Sequence, residues 1–143
     1  LAPPRTRDEL TTLRRFQPPF ADAHPNPHPD ARTLGCYSVQ MSPGLPHASR
    51  VPRKIELTAE FKRQFGLHEL YWIRSGGALS PHSSWRPWTE DEIEVDISDG
   101  FSGWTFAVWR TKSGFAGPAS WMNDTLERSE GTVRLERIAC GTR

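Results

Sequence analysis

The chain is short of cysteine, of charge imbalance and of long apolar runs, and each shortage closes off a class of function. Its two cysteines in 143 residues form no Cys-x-x-Cys pair of the kind that redox and zinc sites use. Eighteen basic residues against seventeen acidic ones leave a net charge of +1, so charge alone implies neither a nucleic-acid partner nor an anionic membrane. No stretch approaches the roughly 20 apolar residues of a membrane-spanning helix. A Gly-x-Ser-x-Gly elbow and a phosphate-cradling glycine loop are both missing. No catalytic residue, metal or cofactor is therefore read from the sequence, and an enzyme is not expected. The first residue is Leu1, neither methionine nor cysteine, which leads us to expect a secreted chain processed from a precursor and carrying no lipid anchor.

What is present begins with residues 92–123. Glu92 to Ser98 alternates acidic or hydroxyl residues with Ile93, Val95 and Ile97, the period of a strand with one buried and one wet face. Asp99-Gly100 turns the chain, and Trp104, Phe106 and Val108 mark the inner face of a return strand. Ser113-Gly114 then leads into a third strand. This is an antiparallel meander. Its apolar side chains are expected to fill the interior, and most of the acids from Glu90 to Asp99 to face solvent. Trp104 and Trp109 differ in parity, so one of them must point outward.

Ten of the thirteen prolines precede Arg53, and residues 1–33 read as a Pro-rich N-terminal arm distinct from a β-barrel domain at 34–143. Within the arm, Thr6-Arg7-Asp8-Glu9 has the capping-box pattern, and Leu10, Leu13 and Phe16 follow at helical spacing until Pro18 and Pro19 stop the helix. Leu10, Leu13, Phe16 and Phe20 give this segment an apolar side that is too short to fold alone, so they are candidate partner-binding residues. Asp22, His24, His28 and Asp30 offer metal-ligating atoms, but their Pro-rich spacing suits a polar linker better.

Eight strands are expected after the arm, at 34–41, 53–58, 67–75, 83–88, 92–98, 103–111, 114–122 and 131–140, with a short helix at 59–65 closed by Gly66. Short connections between sequential strands favour an all-β, eight-stranded antiparallel up-and-down barrel. Closure would make the first and last strands neighbours and bring Cys36 to Cys140. A disulfide there would close a loop of about 100 residues, stabilising by roughly 4–5 kcal/mol, and would imply an oxidising compartment. The other reading is two buried free thiols. Of the six tryptophans, most suit a core, while Trp85, Trp88 and Trp109, with Arg86, are candidate partner anchors.

The Gly35-Cys36-Tyr37 opening, eight meandering strands and an arginine in the last strand, Arg134 or Arg137, resemble a small lipocalin-like barrel, with tyrosine where lipocalins carry tryptophan and no helix after the barrel. Trp85-Arg86 and Gly100-Phe101-Ser102-Gly103 are similar to segments of small secreted bacterial barrels. The resemblance implies a periplasmic or secreted location. The function expected first is a non-catalytic accessory subunit that docks by its arm and exposed aromatics onto the protein subunits of a larger extracytoplasmic assembly, such as a respiratory or photosynthetic membrane complex. The alternative is a lipocalin-like carrier of a small apolar ligand held inside the barrel.

Overall fold

The computed structural model of the chain describes residues 28–66 and 68–141. Within them the backbone forms eight antiparallel strands, β1 (Gly35–Met41), β2 (Lys54–Phe65), β3 (His68–Ser75), β4 (Ala78–Pro87), β5 (Glu92–Ser98), β6 (Ser102–Arg110), β7 (Gly114–Asn123) and β8 (Arg128–Ile138), with a single turn of 3-10 helix at Ala48–Arg50. Each strand pairs with the next, and β8 returns to β1, from Cys36 opposite Ile138 to Met41 opposite Val133. The sheet is thus a closed up-and-down barrel. Cys36 and Cys140 are bonded across this seam, with their Cα atoms 5.1 Å apart. No helix among the described residues is long and apolar enough to cross a membrane.

Alternation places the same apolar set in the interior that the sequence pattern selects. Ile93, Val95, Ile97, Trp104, Phe106 and Val108 are all buried and join Tyr37, Ile55, Leu57, Ile73, Trp85, Phe115 and Leu135 in one continuous core. Register carries the face from strand to strand: Trp85 pairs with Val95, Val95 with Phe106 and Phe106 with Ala119. The turn at Asp99-Gly100 is held as expected, with Asp99 Oδ1 accepting from the backbone N–H groups of Phe101 and Ser102 at 2.9 and 2.8 Å.

Residues 59–65 are not helical but form the far half of β2. The four-residue spacing of Phe61 and Phe65 and the helix-favouring Glu60-Phe61-Lys62-Arg63-Gln64 run suggest a helix, yet pairing with β3 overrides that preference. The cost shows in two register irregularities, between Leu57 and Phe61 and between Phe61 and Arg63. Phe61 and Phe65 consequently stay 54% and 59% exposed.

Strand β4 starts earlier than expected, at Ala78, because the Gly76-Gly77 turn keeps it paired to β3. It bulges before Ser84. The Lys62 ammonium donates to the Pro81 and Ser83 carbonyls at 2.7 and 2.8 Å and holds that bulge.

Of the arm, only its last residues are described. Arg137 clasps them to the barrel, its Nη1 donating to the Arg32 carbonyl and its Nη2 to the Leu34 carbonyl. It is also the one of the two last-strand arginines that lies over the Tyr37 ring, 5.7 Å from its centroid. Arg134 instead faces outward and pairs with Glu136. Leu10, Leu13, Phe16 and Phe20, the short helix, Asp22 and His24 lie outside the described residues. Asp30 is engaged by Arg32, whose bidentate contact holds its pKa down to about 2.

Candidate functional site

Residues of β2–β8 line a cavity of about 720 Å³, most of them from the polar parity of each strand, with Ile97, Trp104 and Trp121 of the core reaching it as well. Cross-strand register builds its floor. Ser84 on β4 stands opposite Asp96 on β5, Asp96 opposite Thr105 on β6, Thr105 opposite Ser120 on β7, and Ser120 opposite Glu130 on β8. Two residue pairs further along, and so on the same face, Arg86 stands opposite Glu94. Arg63, Phe65, His68, Leu70, Trp88, Met122 and Arg128 complete much of the wall.

The carboxylates of β5 are not a solvated face, which corrects the expectation from their alternation. Only Glu90, Asp91 and Asp99 of this acidic run are exposed, while Glu92 is fully buried and Glu94 and Asp96 sit on the cavity wall. Alternation fixes parity, not solvent contact.

Burial pushes the Asp96 carboxyl well above the usual carboxylate range, and the negative charge and hydrogen bond of Glu94 push it further. The Thr105 hydroxyl, donating to Asp96 Oδ1 at 2.8 Å, opposes the shift only in part. Desolvation and the neighbouring carboxylate thus both favour the neutral form of Asp96.

Arg86 is the cavity-lining cation that stands directly opposite Glu94. Its guanidinium carbon lies 4.1 Å from the Trp88 ring centroid, and Trp88 in turn meets the buried His68 at 5.3 Å. Glu94 Oε2 is 3.6 Å from Arg86 Nε, close enough for charge attraction and too far for a hydrogen bond. Both side chains are 15% exposed. The buried Nε of Arg86 has no hydrogen-bond partner among the described residues.

The expected aromatic anchors divide. Trp85 is fully buried in the core, with its indole N–H donating to the Thr58 carbonyl at 2.8 Å, so it is not an exposed contact. Its parity partner Val95 makes this inevitable once β4 and β5 pair. Arg86 and Trp88 do meet, on the cavity wall. Trp109 is half-buried on the outward face, opposite Glu92 and Ala116, while Trp104 points into the core, which settles which of that pair faces out.

Sequence reasoning missed Glu94 and Asp96 as site residues. The signal was available: a short turn after Trp88 forces Arg86 opposite Glu94. Among the described residues the only cluster with metal-ligating proximity is Cys36, Glu56 and Cys140, and its two sulfurs are spent on each other. Comparison with known proteins finds no matching family, no matching curated protein and no matching solved structure.

Proposed function

We propose that the protein is a non-catalytic binding protein of an oxidising, extracytoplasmic compartment, and that it takes its ligand in the cavity on the barrel wall. The observation that carries the reading is the contrast between the two strand faces. Inside, large side chains from all eight strands pack into one apolar cluster. On the opposite parity, a space of about 720 Å³ is lined by convergent polar groups and aromatic rings, with Ile97, Trp104 and Trp121 of the core bordering it, within the size and character of small-molecule sites. The disulfide supports the compartment.

The test is an amide-resolved NMR titration of the oxidised protein with a library of small amphipathic compounds. Ligands that shift Leu70, Arg86, Asp96, Thr105 and Ser120 together support the reading. Shifts confined to core residues such as Val95 and Phe106 would transfer it to a carrier with an internal site, and no shifts would end it.

A second reading, the accessory subunit that docks on a larger respiratory or photosynthetic assembly, is favoured by the exposure of Phe61 and Phe65 on one hairpin and of Phe101 on another. Copurification from the native source, compared with a variant lacking residues 1–33 and with Phe61→Ser/Phe65→Ser, tests it. Retention of every partner by both variants removes it.

A further inference from the structure

We propose that the wall cavity is a receptor for a small organic carboxylate with a flat apolar body, with the Arg86 guanidinium as its anchor. The inference rests on the binding reading above and adds the chemical class of the ligand. A guanidinium withdrawn from water ordinarily satisfies its donors with carboxylates or carbonyls, because an unmet charged donor is costly. Arg86 departs from this. It is mostly buried, its Nε makes no hydrogen bond among the described residues, and its nearest carboxylate stands off at 3.6 Å. One of its flat faces rests on Trp88, which fixes the plane of the fork. A planar acceptor pair is what such a fork matches, and a carboxylate offers one.

The surrounding groups agree with a monoanion. Arg63, Arg86 and Arg128 line the cavity against Glu94, Asp96 and Glu130. Asp96 is buried beside Glu94 and engaged by the Thr105 hydroxyl, and this burial favours its neutral form, which tips the balance of the wall toward positive charge. A phosphate monoester shares the anionic chemistry, but its second charge would meet Glu94 at close range. Phe65, Leu70, Trp88 and Met122 supply apolar surface on the same wall, where the ligand's body would lie.

The experiment is isothermal titration of the oxidised full chain at neutral pH with four probes sharing one ring system: 2-naphthoate, 2-naphthamide, 2-naphthylmethylamine and 2-naphthyl phosphate. The expected result is binding of the naphthoate at least tenfold tighter than of the other three. Arg86→Gln should remove that preference without moving the thermal midpoint by more than a few degrees, and Arg86→Lys, which keeps the charge but not the fork, should restore only part of it. Where the glutamine variant does not fold, the lysine variant decides: full wild-type preference in it overturns the fork. Equal or tighter binding of the amide or amine overturns the carboxylate assignment while leaving the binding reading intact, and tighter binding of the phosphate likewise overturns it. If none of the four binds, this inference fails, while the reading beneath it stands or falls by the NMR titration with the wider library.

Discussion

Trp85 and Asp96 stand on opposite faces of neighbouring strands, and substituting each gives a different kind of answer. Trp85→Phe keeps an aromatic ring in the core but strands the Thr58 carbonyl that accepts the indole N–H. A loss of about 1–3 kcal/mol is expected in denaturant unfolding. Asp96→Asn should change stability with a pH-dependent sign. The folded pKa of Asp96 is raised, so the unfolded chain releases this proton first, and stability is fully present below the ordinary carboxylate value of 3.8 and declines as pH climbs toward the folded pKa. Asparagine cannot ionise. The variant should therefore gain on the wild type as pH rises above 3.8 and lose that advantage below it, which a series of thermal melts will show. A constant difference across the range would mean that Asp96 is ionised in the fold. Gly114→Ala tests a backbone contact, since a methyl group there would run into the Leu135 carbonyl. A cost above about 2 kcal/mol is expected.

At the scale of elements, the strands with clean period-two alternation were legible, and the one with a mixed pattern was not. β5 and β6 could be placed from Ile93, Val95, Ile97, Phe106 and Val108, because in β5 each inward residue is flanked by acidic or hydroxyl residues and β6 follows it across the Asp99-Gly100 turn. Residues 59–65 offered Phe61 and Phe65 at helical spacing, and only the partner strand, 68–75, reveals that bulges account for that spacing. The cavity was illegible for a related reason. Whether Glu94 meets water depends on how β2–β8 are arranged around it, and no local window contains that. Arg86 and Trp88 were singled out, but as contacts for a protein and without the carboxylates beside them. The exposed β2–β3 hairpin gives a prediction of its own: Phe61→Ser/Phe65→Ser should leave the unfolding midpoint within about 0.5 kcal/mol of wild type, as surface positions do, while improving solubility. A large loss would show that these rings cover apolar surface of the barrel.

The whole molecule is closed twice, once by hydrogen bonds between β1 and β8 and once by the bond between Cys36 and Cys140. Replacing both cysteines by serine should cost about 2–5 kcal/mol, read as a fall in the denaturant midpoint with little change in the folded spectrum. Closure also alters what a protease can achieve. The bond makes residues 36 to 140 a covalent ring that passes through every strand, so a single cut in any of the seven connections opens the ring without releasing a fragment. A nicked molecule should run as one species on a denaturing gel and as two only after reduction, and its halves, still tethered, should re-form the barrel. In a compartment rich in proteases, damage to one loop would then leave the wall cavity assembled.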